Sequence, residues 1–220
     1  MSLKENLLHL TTEIPSGVRL VAVSKTQAIE SIQALYDAGH RIFGENKVQE
    51  LVTKQPQLPQ DIEWHYIGHL QRNKVKFIVP IASLIHSIDS FRLLKEVNKE
   101  AGKLSRKVNC LLQFHIASEE SKFGLSWEEA VEMLSSDEFS NLEFVNICGV
   151  MGMATFTENQ ETIRKEFRQL VTLFNGLKER FFISSDDFTE LSMGMTSDYL
   201  IAIEEGSTLV RIGTLIFGSR

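Results

Sequence analysis

Lys25 sits directly behind the apolar run Val21-Ala22-Val23, where a strand would end and its side chain would emerge. An amine in such surroundings can lose its proton more readily and attack a carbonyl carbon. The same position also suits a surface lysine whose stem lies along apolar neighbours with its charge in water. Groups suited to an anion stand far along the chain. Ser192 and the segment Gly213-Thr214 can offer hydroxyls and backbone N–H groups to a phosphate. Thr196-Ser197-Asp198 reads as a helix start, whose positive dipole end would lie nearby. Taken singly, each glycine could mark only a turn or a close contact. An aldehyde-capturing lysine facing a phosphate cup points to a phosphorylated aldehyde.

The other titratable candidates read more plainly. His65, His69 and His86 fall near strand ends and are expected to be hydrogen-bonded or structural, with His86-Ser87 alternatively lining a ligand pocket. His65 and His69 have i,i+4 spacing but straddle Gly68 at the end of a strand, so no metal site is expected. Asp89 and Asp198 read as helix caps. Cys110 and Cys148 lie in apolar runs and read as buried, reduced thiols.

These residues need elements to position them. Apolar or β-branched runs at Val18–Val23, Arg41–Phe43, Trp64–Ile67, Leu84–Ile88, Val108–Phe114, Phe144–Met151, Glu190–Met193 and Val210–Ile212 predict eight strands. Helical spacing fills the intervals. Leu93, Leu94, Val97, Ala101 and Leu104 form one stripe behind Ser90 as N-cap. Ile163, Phe167, Leu170, Val171, Phe174 and Leu177 form another, opened by Thr157 with Gln160. Ser126 with Glu129 makes a capping box. Further helices are expected over Ile29–Ala38, Lys47–Thr53, Arg72–Ile78 and Ser197–Glu204, with an extra one, Ser2–Leu10, before the first strand. Strands alternating with helices imply parallel pairing through crossovers. A dinucleotide-type open sheet would carry a glycine-rich turn after its first strand, and Ser24-Lys25-Thr26-Gln27 has no glycine. The expectation is therefore an α/β fold, a single (β/α)₈ TIM barrel spanning residues 1–220. In such a barrel the ends of the strands, where Lys25 and the phosphate cup fall, form the reactive face.

Composition excludes several classes. The 220 residues are 43% hydrophobic and 24% charged with net charge −6, so general attraction to nucleic acid or anionic membrane is not expected. The basic run Gln71–Lys76 reads as a solvated helix face. No run approaches the roughly 18 apolar residues of a membrane span, and the N-terminus lacks the apolar core of a signal peptide, so the cytoplasm is the expected location.

Seven ordered motifs carry a resemblance. They begin with Val21–Thr26, Phe43–Glu50, Trp64–Lys74 and His86–Ser90, and continue with Glu119–Gly124, Leu191–Met195 and Val210–Gly218. Together they resemble the YggS/PROSC family of pyridoxal phosphate homeostasis proteins over nearly the whole chain. Lys47, Thr196, Gln113–Ser118 and Ala154–Phe156 depart from the usual pattern. The resemblance implies a barrel like the N-terminal domain of alanine racemase, with pyridoxal 5′-phosphate held as a Schiff base on Lys25. It further implies Arg211 at the pyridine nitrogen, Ser192, Gly213 and Thr214 on the phosphate, and Asn46 beside the ring. Met193, next to Ser192, is counted with the cofactor-binding residues.

An arginine at the ring nitrogen can only donate, which leaves that nitrogen unprotonated and the ring a weak electron sink. Barrel-type racemases add a catalytic tyrosine from a second, β-rich domain, and none is expected here. The expected role is therefore intracellular buffering or delivery of the cofactor without turnover, by a monomer, with cofactor-dependent apo-enzymes as candidate recipients. The alternatives are a racemase-like enzyme on amino acids and a cofactor-free Schiff-base lyase.

Overall fold

A computed structural model describes residues 2–118 and 123–218. Its eight strands are β1 (Arg19–Val23), β2 (Ile42–Glu45), β3 (Glu63–Tyr66), β4 (Leu84–Ile88), β5 (Val108–Gln113), β6 (Val145–Met151), β7 (Glu190–Met195) and β8 (Leu209–Ile212). All neighbours pair in parallel, and β8 returns to β1 to close the barrel. The expected (β/α)₈ barrel is the fold observed.

Helices run between the strands and over the outside. They are α1 (Leu3–Glu13), α2 (Ile29–Asp37), α3 (Val48–Lys54), α4 (Val75–Ile78), α5 (Phe91–Gly102), α6 (Trp127–Leu134), α7 (Asp137–Ser140), α8 (Gln160–Phe181), α9 (Tyr199–Glu204) and α10 (Thr214–Phe217). The helix α1 precedes the barrel and opens on a capping box: Ser2 Oγ accepts from Glu5 N–H, and Glu5 accepts from Ser2 N–H. The expected Ser126–Glu129 box opens α6 in the same way. The cap of α8 is Asn159, not Thr157: Asn159 Oδ1 takes the N–H groups of Glu161 and Thr162, while Thr157 accepts from Asn159 itself. The segment Arg72–Lys74 forms a 3₁₀ turn that leads into α4. Leu104 lies beyond the end of α5 and is exposed, so it leaves the stripe predicted for it. No helix among the described residues is long and apolar enough to cross a membrane.

Two apolar layers follow from the period-two alternation of the strands. Leu20 and Ala22 of β1 point outward and join the core between sheet and helices, with Phe43, Leu94, Phe167 and Leu170. Val21 points inward and meets Leu84, Leu111, Cys148, Met151 and Leu209 in a smaller cluster on the barrel axis. Burial of each such side chain contributes about 1.5–3 kcal/mol, so the outer layer dominates stability. The rest of the interior is polar, with His65, His86, Ser192 and Arg211 all buried. Both cysteines are free and buried, as expected. Burial pushes the Cys148 thiol up to about 11 and the Cys110 thiol further still, which keeps both unreactive.

Candidate functional site

The chain leaves β1 through a tight turn, Ser24-Lys25-Thr26-Gln27, closed by the Gln27 N–H on the Ser24 carbonyl at 3.0 Å. Lys25 occupies the corner of that turn and is exposed at the carboxyl end of the barrel. Thr26 is held at φ 61°, a left-handed conformation that a β-branched residue rarely adopts. A buried network pins the turn on either side of Lys25. The Lys54 ammonium donates to the Ser24 carbonyl (2.8 Å), to Glu45 (2.8 Å) and to Glu50 (3.1 Å). The Ser24 hydroxyl donates to Glu45 at 2.7 Å, and Glu50 accepts the Thr26 N–H at 2.6 Å. Burial raises the pKa of Glu45 against the pull of Lys54 and Ser24. At Glu50 burial acts the same way, but the Thr26 N–H and Lys54 outweigh it and the pKa falls. Sequence reasoning did not single out Lys54, Glu45 or Glu50. The i,i+4 spacing of Glu50 and Lys54 was the available signal, and it describes a surface pair equally well.

Arg211 lies on β8 with its Cα in register with Val21 of β1, so it belongs to the strand beside the Lys25 turn. Only 4% of it is exposed. Its guanidinium donates to Ser192 Oγ at 2.5 Å and to the Gly152 carbonyl at 3.1 Å. Among the described residues it forms no salt bridge; burial lowers its pKa to about 10, against the pull of the nearby Asp198 carboxylate. A buried cation with donors to spare and no carboxylate within salt-bridge distance among the described residues is suited to an acceptor supplied from outside.

Ser192, expected on a phosphate, turns its hydroxyl toward the barrel axis, where it meets Arg211 and, at 3.0 Å, His86 Nδ1. The alternation of β7 sets this up, since Ser192 is in register with the inward-facing Met151 and Leu209. A bulge follows it, where three steps from Ser192 to Met195 match two along β8 and Gly194 takes φ 93°. Met193 points the other way, into the outer core. Of Met193, only the backbone is left for a part at the mouth. Gly213 and Thr214 begin α10 at the mouth, Gly213 half-buried and Thr214 exposed. A Cβ on Gly213 would come within 3.1 Å of the Val23 carbonyl, so the missing side chain lets the backbone past β8 pack closely on the end of β1. Asn46, just past β2, has a buried Oδ1 with no hydrogen-bond partner.

The remaining candidates sort clearly. Tyr66 is buried in the outer core, and its hydroxyl donates to the carbonyls of Asn46 and His69. Burial pushes its pKa up to about 12. Tyr36 donates to Asp61 and Tyr199 to Glu13, so all three tyrosines are engaged. His69 pairs with Asp89 at 3.2 Å and stacks on Phe123. Asp89 is not a cap, because Ser90 caps α5. Asp198 holds the N-cap position of α9 as expected, but its carboxylate takes the Met195 N–H and closes the preceding turn, with no hydrogen bond to a helix N–H. No group of metal-binding side chains occurs among the described residues. Residues 119–122 of the Glu119–Gly124 motif lie outside the described residues.

Arg211 outside any salt bridge among the described residues, the bare backbone at Gly213 and the orphaned Asn46 oxygen fit a small ligand with a ring acceptor and a phosphate beside Lys25. Barrel and site together define the alanine racemase N-terminal class, and the model of that domain family matches residues 1–220. The chain belongs to the pyridoxal phosphate homeostasis family within this class. It is 39% identical to the pyridoxal phosphate homeostasis protein of Aquifex aeolicus (strain VF5) over 204 residues, 92% of this chain and 87% of that one. PipY of Synechococcus elongatus PCC7942, solved with PLP bound, superposes with a TM-score of 0.88 at 35% identity, covering 99% of this chain and all of that one. Its PLP-free form superposes with a TM-score of 0.92 at 36% identity. Alanine racemase from Bartonella henselae shares the fold at 16% identity and a TM-score of 0.73, with this chain covering 58% of it.

Proposed function

We propose that this protein binds pyridoxal 5′-phosphate through a Schiff base on Lys25 and buffers or delivers it in the cytoplasm, without catalytic turnover. One observation carries the reading: Arg211, a buried guanidinium in no salt bridge among the described residues, on the strand beside the Lys25 turn. The Lys25 amine condenses with the aldehyde carbon and releases water, and hydrolysis reverses the step. Arg211 offers N–H donors to the ring nitrogen. Gly213 and Thr214 present backbone N–H groups to the phosphate, with the backbone of the Ser192–Met193 segment alongside, and Asn46 lies at the ring edge. Bound there, the cofactor supplies a reversible aldehyde and a ring that accepts electrons only when its nitrogen is protonated. Arg211 cannot supply that proton, because a guanidinium stays charged. The engagement of Tyr36, Tyr66 and Tyr199 elsewhere argues against the racemase-like alternative.

The names of the relatives support homeostasis as the role, and cofactor-dependent apo-enzymes supplied by a monomeric carrier complete the reading. The test is optical. Purified protein mixed with pyridoxal phosphate should turn yellow and lose the long-wavelength band on borohydride reduction, with the label on the peptide carrying Lys25. Lys25→Ala should show neither band nor label. A colourless mixture, or a label on another lysine, overturns the assignment. Incubation with L-amino acids should give no α-proton exchange at enzymatic rates, whereas the racemase reading requires it.

A further inference from the structure

The polar interior continues past Ser192. His86 Nε2 lies 3.0 Å from His65 Nδ1, so Arg211, Ser192, His86 and His65 form one unbroken line of hydrogen bonds down the barrel axis. Its far end opens at the opposite pole. There a cavity of about 320 Å³ is lined by His65 with Arg19, Glu63, Asn109, Asn146 and Glu190, most of them at the starts of their strands.

Elementary donor counting gives the line a direction. Arginine has no acceptor, so Arg211 must donate to Ser192 Oγ. The Ser192 proton then goes to His86 Nδ1, which makes Nδ1 an acceptor and places the His86 proton on Nε2. That proton is donated to His65 Nδ1, and the His65 proton falls on its own Nε2. The reverse direction would aim two donors at Ser192 Oγ and leave the serine proton without an acceptor among the described residues. Both imidazoles are neutral. Burial, aided by Arg19, brings His65 down to about 3. Burial, with His65, Arg211 and Arg19, takes His86 well below its ordinary value.

We propose that His65 and His86 are positioning residues: a directed relay that fixes Ser192 as an acceptor for Arg211 and keeps the guanidinium aimed at the mouth. Every hydrogen bond in the relay points away from Arg211, so no residue in this line can pass a proton up toward a ligand. What Arg211 faces rests on the cofactor reading, but the relay belongs to the protein alone.

The test begins on the ligand-free full chain. Long-range ¹H–¹⁵N spectra should show His65 and His86 as neutral imidazoles, each protonated at Nε2. Ser192→Ala, a small change, should release the tautomer preference of His86 and move the Arg211 Nε–H resonance. His86→Gln should move that resonance too, although its side chain does not touch Arg211. A His86 proton on Nδ1, or an Arg211 resonance unmoved by both variants, overturns the relay. Pyridoxal phosphate titration then separates the two ideas. Ser192→Ala should weaken binding about tenfold, the worth of roughly one charge-assisted hydrogen bond, and shift the absorbance maximum. If the tautomers are as stated but no pyridoxal phosphate binds, the relay stands and the cofactor reading falls.

Discussion

The left-handed Thr26 costs about 1–2 kcal/mol relative to an ordinary conformation, and something must hold it there. The Glu50 carboxylate on its N–H and Lys54 on the Ser24 carbonyl do so, and the corner they shape carries Lys25. Lys54 is buried and shared between two carboxylates, so its removal leaves negative charge without a partner. Lys54→Met should destabilise the protein by about 3–5 kcal/mol in urea unfolding. Adding Glu45→Gln should return part of that loss, because one buried carboxylate then disappears. A double variant no more stable than Lys54→Met would show that charge is not what Lys54 balances. At this scale the positions of Lys25 just past β1 and of Arg211 within β8 were legible, because apolar runs mark both strands. Lys54 was not, since nothing in sequence distinguishes a buried lysine from a surface one. The partners of Ser192 were hidden as well, because Arg211 and His86 reach it from other strands.

Loops at the mouth are tied by one helix. Glu166 of α8 is buried, and its carboxylate accepts from the N–H and hydroxyl of both Ser118, past β5, and Thr155, past β6, at 2.7 to 2.8 Å. Burial alone would raise its pKa, but these hydrogen bonds outweigh it and hold the group below its ordinary 4.5. A carboxyl with a lowered folded pKa stabilises the fold above its unfolded value, and this contribution vanishes as pH falls through the folded one. Glu166→Gln should therefore cost about 1.5–3 kcal/mol at neutral pH. The gap to the wild type should close on acidification below 4.5, as read by urea unfolding at several pH values. A gap independent of pH would locate the cost in packing instead. All eight strands were legible from their apolar runs, because a strand buried on both faces admits little else. The helices α7 and α10 were not, since four residues make a single turn and show no period. The cap of α8 was misplaced because Thr157 and Asn159 both suit the role, and only backbone geometry chooses between them.

The whole molecule has an asymmetric stability. Its apolar burial lies mainly between sheet and helices, while the barrel axis is occupied by a histidine pair, a serine and an arginine that forms no salt bridge among the described residues. A ligand that gives Arg211 an acceptor and ties the β1 and β8 ends together should stabilise the barrel as a unit. A ligand that binds only the folded state at about 100 times its dissociation constant adds roughly 2.7 kcal/mol. For a domain of this size each kcal/mol raises the melting temperature by about 2–4 °C, so the expected shift is about 5–11 °C. Calorimetry over a series of pyridoxal phosphate concentrations should show the melting temperature climbing with the logarithm of concentration. Lys25→Ala should keep only the fraction due to Arg211, Gly213 and Thr214, and Lys25→Ala/Arg211→Met should lose nearly all of it. A wild-type melting temperature indifferent to the cofactor would mean that the mouth does not hold it.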